Sequence, residues 1–451
     1  MSTLRVSMLA FALAACAEHV GQTLPSAAPQ APTPESPRGA WLENSAEEAF
    51  REAQAQRRLL LADLWAPWCH TCLSMRAQVL DEARVPELAN VVRLAIDTER
   101  TENERFLQRY PAVVWPTFYL IDPETRQVRG RWLGGASPKQ LSQWLLEASN
   151  SPTATEALLR QADDFSSQQQ LSQAEASYRA ALAEADPAQR SRALVALIST
   201  LLKQAKFAEC LQLALHEVAQ LPASVSAVDF AATALSCADK AADPALARST
   251  RSTVEAVLSR DCSTRAPGVS ADDQADACDN LRSVRAALGD TDGARRAAEQ
   301  ELSVIDAASA GASAEVQAIY DWHRSAALVF LGRSEEAIQL LKERERALPQ
   351  RYNAAHYLAR IYRDQKRWSE GLLAIDRALA KAYGPRRVAL LGVKASLLEG
   401  ADRVHDARCV LTQQLAEYRA LPAGQKRADA EAAVQERLQA LSPPTEPCAS
   451  P

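Results

Sequence analysis

The spacing of apolar residues changes once along the chain, near residue 150. Before that point, the uninterrupted apolar run LLLADLWA has the length of a strand and fits one that is buried on both faces. The other apolar and polar positions predict further strands that alternate with helices. We predict helices at 45–56, 72–80, 102–110 and 137–148, and strands at 59–66, 91–97, 117–122 and 127–134.

From residue 151 onward, alanine and leucine dominate and the helical period is nearly unbroken. Small residues recur at intervals of 34, from Ala174 to Ala208 and from Ala337 to Gly371. Small side chains fit where paired helices approach closely, so we predict six or seven stacked helix pairs, irregular between 225 and 300. A helical domain without a binding groove is the alternative.

The length and charge of the chain limit the classes of function. With 451 residues the chain is too long for one ordinary core, so we expect at least two domains. A net charge of −5 disfavours a nucleic-acid partner, which requires a clustered basic surface. No apolar run reaches the roughly 18–20 residues that a membrane-spanning helix needs.

Residues 1–15 have the layout of an export signal, with Arg5 before an apolar run that ends in small residues. The sequence LAAC, ending at Cys16, resembles a bacterial lipobox. The resemblance implies a lipid on Cys16 and a protein anchored in the cell envelope, facing the periplasm, with the outer membrane as the default because Ala17 is not aspartate. An ordinary signal peptide with a chance cysteine is the alternative. Residues 16–40, rich in proline and alanine, then form an extended tether.

Exported proteins retain disulfides, so the nine cysteines carry information. With Cys16, Cys69 and Cys72 set aside, six remain, which is an even number. Pairing neighbours along the chain is the simplest of the 15 connectivities because each loop is then short, and buried free thiols are the alternative. The sequential pairs are Cys210 with Cys237, Cys262 with Cys278, and Cys409 with Cys448.

Four stretches in the first region stand in a familiar order: DLWAPWCHTC, VRLAID, WPTFYLID and WLGGAS. Through them, residues 41–150 resemble the thioredoxin superfamily, especially the periplasmic domains of thiol:disulfide interchange proteins. The stretches SQAEASYRAALAEADP and RWSEGLLAIDRALAKAYGP resemble tetratricopeptide repeats. The expected fold is therefore an α/β thioredoxin fold followed by an all-α tetratricopeptide-like solenoid at 151–442, with a tail at 443–451.

The two cysteines of the CHTC stretch suit thiol–disulfide exchange. A thiolate attacks a disulfide, and the N-terminus of a helix lowers the pKa of a thiol placed there. Cys69 would therefore attack, and Cys72, one turn later, would resolve the mixed disulfide. A protonated His70 would favour the thiolate further; an exposed spacer without an electrostatic role is the alternative.

The resemblance also implies roles for residues around the cysteines. Asp63, in the middle of an apolar strand, matches the aspartate that exchanges a proton with the resolving cysteine. Arg93 matches the lysine that faces this aspartate, and we expect it to hold Asp63 ionised. Pro116 matches the cis-proline that positions substrate. The two tryptophans Trp68 and Trp115 flank the site, and Trp115 is bulkier than is usual there, so it would shield the disulfide or narrow the substrate range.

Other chemistry for the two cysteines fits less well. Structural zinc needs four ligands, and no second cysteine or histidine pair lies nearby in the sequence. Haem attachment needs a histidine directly after the second cysteine, where Leu73 stands. Copper binding by the dithiol stays open, whereas a permanent structural disulfide is disfavoured because such pairs are exposed. We expect no metal and no cofactor.

Two functions remain. The first is a membrane-anchored thiol:disulfide oxidoreductase, a reductase by preference, that acts on protein thiols and disulfides, takes electrons from a redox partner and recruits protein or peptide ligands through its repeats. The second is a lipoprotein assembly scaffold that uses the repeats, with a weakly active or inactive thioredoxin domain.

Overall fold

The first region is a five-stranded mixed sheet with helices on both faces. The computed structural model describes residues 40–426, 430–441 and Cys448. The strands lie in the order β1-β3-β2-β4-β5; the first three are parallel, and β4 and β5 are each antiparallel to the preceding strand in that order. The elements are β1 (Trp41–Glu43), α1 (Ala46–Gln56), β2 (Leu59–Trp65), α2 (His70–Gln78), β3 (Val91–Asp97), α3 (Glu104–Arg109), β4 (Thr117–Ile121), β5 (Val128–Leu133) and α4 (Pro138–Ser149). Every predicted strand and helix of this region is present, and the three-residue strand β1 and a short 3₁₀ helix at Pro86–Asn90 were not predicted.

The alternation of side chains along the strands produces two separate cores. Leu60, Ala62 and Leu64 of β2 face one side of the sheet and pack with α1 and α3. Leu61 of β2 faces the other side and packs with α2 and α4. This two-residue period explains why LLLADLWA is apolar throughout, since both faces of β2 are covered.

The second region is entirely helical, as the sequence predicts. In the part of the chain that the structure describes, seven consecutive helix pairs pack side by side, which agrees with the predicted six or seven repeats. The helices are α5 (Ala154–Ser167), α6 (Leu171–Leu182), α7 (Pro187–Lys203), α8 (Phe207–Glu217), α9 (Val225–Ala238), α10 (Pro244–Ser263), α11 (Ala271–Leu288), α12 (Thr291–Ser309), α13 (Ala314–Gln317), α14 (Asp321–Phe330), α15 (Ser334–Ala347), α16 (Asn353–Asp364), α17 (Trp368–Leu379), α18 (Gly384–Gly400), α19 (Val404–Ala420) and α20 (Ala430–Ala440).

Small residues mark the contacts between these helices, with one exception. A Cβ atom at Gly371 would lie 2.5 Å from the Leu397 side chain, so α17 and α18 approach too closely for anything larger. Ala174 and Ala337 are fully buried in the same way. Ala208, predicted from the 34-residue interval to be another such contact, is exposed instead, because α8 begins only one residue before it.

The six further cysteines form the sequential disulfides. Cys210–Cys237 joins α8 to α9, Cys262–Cys278 joins α10 to α11, and Cys409–Cys448 joins α19 to the tail. The alternative of buried free thiols is therefore wrong. Cys262–Cys278 lies within the stretch where the repeat pattern is weakest, and Cys210–Cys237 reaches into it, so both bridges tie successive helices together there.

The sheet region and the helical region pack against each other as one compact unit. Among the described residues, no helix is long and apolar enough to cross a membrane. The predicted signal peptide, Cys16 and most of the tether lie outside the described residues, as does most of the tail.

Candidate functional site

The site centres on Cys69, which immediately precedes α2. Cys69 and Cys72 form a disulfide, and the backbone N–H of Cys72 donates to the Cys69 sulfur over 2.9 Å. The side chain of Cys69 thus caps the helix, where unpaired N–H groups and the positive end of the helix dipole favour negative charge. This arrangement stabilises a thiolate on Cys69 once the disulfide is reduced.

The disulfide is buried, so the prediction of an exposed pair is wrong. Cys69 is 4% exposed and Cys72 is 1% exposed. Three tryptophans pack around them: Trp65, Trp68 and Trp115. The rings of Trp68 and Trp115 lie 5.1 Å apart between centroids. Their indoles enclose the sulfur atoms in an apolar pocket.

Pro116 lies next to this pocket, and the Trp115–Pro116 peptide bond is cis, as the resemblance implies. Trp115 packs against the cysteines, and its indole N–H donates to the hydroxyl of Thr98 over 2.9 Å. The hydrogen bond anchors the indole to the loop that follows β3. Trp115 is therefore held beside the disulfide by a polar contact as well as by apolar packing.

Asp63 is a buried carboxylate on β2, and its partner is an arginine that the sequence did not single out. Its Oδ2 atom accepts from Nε of Arg76 over 3.2 Å, while its Oδ1 atom has no hydrogen-bond partner among the described residues. Burial raises the pKa of Asp63 to about 6, and Arg76 counteracts only part of that shift. A carboxyl group with such a pKa exchanges protons readily near neutral pH.

Arg93 does not face Asp63, so that predicted pair is wrong. The guanidinium of Arg93 binds the Glu82 carboxylate over 2.6 Å. Arg93 lies beside Leu61 in the register of β2 and β3, two residues away from Asp63 along the strand. Arg76 reaches Asp63 from α2 and also stacks on the Trp65 ring, 3.8 Å from its centroid.

The helical region covers the site on the Trp68 side. The Trp68 indole N–H donates to Glu99 over 2.7 Å, and the same carboxylate accepts from the backbone N–H of Arg386 in α18 over 2.5 Å. Tyr383 donates to Asp97 over 2.5 Å. The end of β3 and the loop after it are therefore hydrogen-bonded both to the loop that carries Trp68 and to the start of α18.

The contact at α18 is also sterically tight. Gly384 has a positive φ of 55°, and a Cβ atom there would overlap the backbone oxygen of Glu99. Further along, the Asn353 amide at the start of α16 donates to the backbone oxygen of Pro67 over 3.1 Å. Backbone atoms of both regions thus meet directly around the cysteines.

His70 faces a different part of the helical region. Its Nδ1–H group donates to the carboxylate of Asp272 in α11 over 3.1 Å, and its side chain is 22% exposed. Burial disfavours the charged ring, but the carboxylates of Asp272 and Asp276 outweigh it and raise the pKa of His70 to about 10. The alternative of a spacer without an electrostatic role is wrong, because His70 forms an ion pair across the two regions.

Comparison with known proteins agrees with the first region of this fold. Residues 40–123 match the family model described as Thioredoxin-like. A search of curated proteins found no match.

Solved structures of repeat proteins are similar to the chain at low identity. A tetratricopeptide repeat protein from Parabacteroides merdae is 13% identical with a TM-score of 0.42, over 63% of this chain and 97% of that chain. A thermophilic TPR protein from Thermus thermophilus is 19% identical with a TM-score of 0.29, over 55% of this chain and 100% of that chain.

Half of the eight residues predicted for the thioredoxin-like site meet in one place. Cys69, Cys72, Trp68 and Trp115 share one apolar cluster. Arg93 is excluded from it by its contact with Glu82, as described above. Arg76, Glu99 and the acids of α11 were not predicted as site residues. The acids carry a detectable signal, because Asp272 and Asp276 are one turn apart on one helix.

Proposed function

We propose that the chain is a thiol:disulfide oxidoreductase that exchanges dithiol for disulfide through Cys69 and Cys72. The observation that carries the proposal is the position of Cys69 at the N-terminus of α2, with an N–H group directed at its sulfur and Cys72 within bonding distance. Few structural disulfides need a helix N-terminus, whereas a nucleophilic cysteine is activated by one.

The reaction proceeds in two exchanges. The Cys69 thiolate attacks one sulfur of a substrate disulfide, forms a mixed disulfide and expels the other substrate sulfur as a thiolate. Cys72 then loses its proton and attacks the Cys69 sulfur, which releases the second substrate thiolate. The substrate disulfide is reduced by two electrons, and Cys69 and Cys72 are oxidised to the disulfide.

Asp63 and Pro116 support these steps. Asp63, with a pKa near 6, accepts the proton of Cys72 before the second exchange and returns it in the reverse direction. Pro116 holds the neighbouring backbone beside the sulfur atoms, where an extended substrate segment would bind. Trp68, His70 and Trp115 surround the cysteines and set which substrates reach Cys69.

We favour the direction of a reductase, which requires an external dithiol reductant to restore the reduced pair. Because the helical region covers the cysteines, a folded protein substrate reaches Cys69 only when that cover moves. The helical repeats then serve two purposes in the proposal: they bind protein or peptide partners, and they control access to the disulfide.

The proposal places the protein on the periplasmic side of the cell envelope, anchored through a lipid on Cys16, with the outer membrane as the default. The support is the lipobox-like LAAC sequence and the disulfides of the helical region, which persist in oxidising compartments. Replacing Cys16 with Ser should move the protein from the membrane to the soluble fraction. Unchanged fractionation would refute the lipid anchor.

The activity is tested by insulin reduction with a dithiol donor, followed by a trapping experiment. In a Cys72→Ser variant, Cys69 retains its nucleophile but the mixed disulfide is not resolved, so substrates accumulate as covalent adducts. The matched control is the Cys69→Ser variant, which should trap nothing. Absence of turnover in the wild type at every redox poise, together with equal adducts in both variants, would refute the oxidoreductase.

A second candidate function is an assembly scaffold, and the burial of Cys69 and Cys72 favours it. A disulfide enclosed by three tryptophans and a helical cover is protected from exchange. If the wild-type disulfide resists reduction by millimolar dithiothreitol as long as the three disulfides of the helical region do, the scaffold becomes the better description.

A further inference from the structure

A cluster of buried histidines and carboxylates lies where α2 meets α11 and α14. His70 comes from the start of α2, and Asp272 and Asp276 project from successive turns of α11. His323, in the first turn of α14, completes the cluster. Asp272 and His323 are fully buried. Three separate elements thus bring two imidazoles and two carboxylates together one residue from Cys69.

The distances between the donor atoms match those around a metal ion. His70 Nδ1 lies 3.1 Å from Oδ2 of Asp272, and His323 Nε2 lies 3.8 Å from Oδ1 of Asp272. His323 Nε2 also lies 3.5 Å from Oδ1 of Asp276. Ligands at about 2.0–2.1 Å from a tetrahedral zinc ion are separated by about 3.3 Å. One donor atom from each of His70, Asp272 and His323 fits within 4.8 Å of the others.

The orientation of His323 supports a ligand independently of the carboxylates. Its Nδ1–H group donates to Glu301 over 3.1 Å, which leaves Nε2 as the atom that faces Asp272 and Asp276. Nε2 is buried and has no hydrogen-bond partner among the described residues. Metal-binding histidines are commonly held in this way, with one ring nitrogen bonded to a carboxylate and the other left for the ion.

Acidic groups outnumber cations around the cluster. Asp272 and Asp273 of α11 and Glu301 of α12 are buried, and Asp276 of α11 is partly exposed. Two cationic groups contact them: Arg282 lies 3.5 Å from Glu301, and the His70 ring pairs with Asp272 when it is protonated. Burying carboxylates without enough compensating charge is costly, and a divalent cation would offset part of that cost.

We propose that His70, Asp272 and His323 bind a divalent transition-metal ion of the zinc class, with Asp276 beside the open position and Glu301 orienting His323. Two imidazoles and a carboxylate suit Zn²⁺ and Co²⁺ better than Mg²⁺ or Ca²⁺, which prefer oxygen ligands alone. The ion would join α2 of the sheet region to α11 and α14, so metal binding fastens the helical cover next to the active-site cysteines.

The test is metal titration of the full chain carrying Cys16→Ser, purified without a polyhistidine tag. The disulfides stay intact, and a thiol assay must first show no free thiol, so that cysteines do not bind the metal. After treatment with a chelator and dialysis, Zn²⁺ is titrated by calorimetry and Co²⁺ by visible absorption. We expect one ion per chain. This measurement uses the oxidised protein, so it does not depend on any turnover by Cys69.

Variants assign the ion to the cluster. His70→Gln and His323→Gln should each weaken binding at least tenfold, and Glu301→Gln should weaken it by about 10- to 100-fold through loss of the bond that orients His323. His356→Gln is the matched control, because His356 is a buried histidine of α16 that is absent from the cluster. Circular dichroism checks that each variant folds, and His70→Gln is the safest, since its side chain is partly exposed.

Either of two results would overturn the proposal. The first is the absence of stoichiometric binding by the wild type, which would leave His70 as a protonated partner of Asp272 and nothing more. The second is equal affinity in the wild type, His70→Gln and His323→Gln, which would place the ion elsewhere.

Discussion

The disulfide of the sheet region and the Cys210–Cys237 disulfide of the helical region are both buried but have different surroundings. Cys69 and Cys72 are 4% and 1% exposed, and Cys210 and Cys237 are both fully buried. Around Cys210 and Cys237 lies a large apolar core. Around Cys69 lie a helix N-terminus, a cis-proline and, on the strand that leads to it, the buried carboxyl of Asp63.

If Cys69 and Cys72 react as we propose, exposure alone does not separate a reactive disulfide from a structural one. A thiolate released beside Cys210 would face apolar side chains, which raise the pKa of a thiol. A thiolate on Cys69 would face N–H groups and the positive end of α2. The sequence separations agree with this distinction, since Cys69 and Cys72 are 3 positions apart whereas Cys210 and Cys237 are 27 positions apart.

The largest effect should come from removing the proposed nucleophile. We expect Cys69→Ser to lower the rate of insulin reduction on the order of 1000-fold or more, because a hydroxyl group does not form the mixed disulfide. The double variant Cys210→Ser/Cys237→Ser should keep the wild-type rate. If both variants lose activity equally, the two kinds of disulfide are not functionally distinct.

The free energy of unfolding should rank the two disulfides in the opposite order, with Cys210–Cys237 contributing more than Cys69–Cys72. A loop closed by Cys210–Cys237 constrains the unfolded chain more than the short loop closed by Cys69–Cys72, so removing the former should cost about 3.5 kcal/mol and removing the latter about 2 kcal/mol. Urea unfolding of the two double serine variants measures both values. A larger loss from the Cys69/Cys72 pair would contradict the assignment of Cys210–Cys237 as the structural bridge.

The buried carboxyl of Asp63 should make stability depend on pH. Its pKa is raised by burial to about 6, above its value in the unfolded chain. The stability that the neutral carboxyl contributes is therefore complete below about pH 4 and is lost as pH rises through 6, a change of about 3 kcal/mol. Asp63→Asn should flatten this part of the profile in urea titrations between pH 4 and 8. Parallel profiles for the variant and the wild type would contradict the shifted pKa.

The smallest expected effect concerns Arg76 and Arg93, the observed and the predicted partner of Asp63. Arg76 lowers the pKa of Asp63 by charge and hydrogen bonding, so Arg76→Gln should raise the midpoint of its titration by about one pH unit. Arg93→Gln is the matched control and should leave the midpoint unchanged, because Arg93 binds Glu82. Carbon NMR of the Asp63 carboxyl measures both. A shift in the Arg93 variant alone would restore the pairing predicted from the sequence.

Local patterns predicted most of the fold and the core of the site. Strand and helix periods located the elements of both regions, and short loops indicated the disulfide partners. The helical cover of the site was not predictable, because it depends on contacts between residues far apart in the chain, such as His70 and Asp272, which are separated by 202 positions. No local period encodes such a contact. Arg76 was not predicted as the partner of Asp63, because which arginine reaches Asp63 depends on the conformations of two long side chains. Sequence position does not determine those conformations.

The sheet region and the helical region pack tightly against each other at Gly384. The Glu99 carbonyl oxygen occupies the position that a Cβ atom of residue 384 would take. The two regions can therefore approach this closely only because residue 384 has no side chain. Any other amino acid at this position would overlap the Glu99 backbone oxygen and push the start of α18 away from the loop after β3, which would strain the hydrogen bonds from Arg386 to Glu99 and from Tyr383 to Asp97. Substitution of Gly384 by a residue with a side chain would therefore be the simplest way to open this site in the course of evolution.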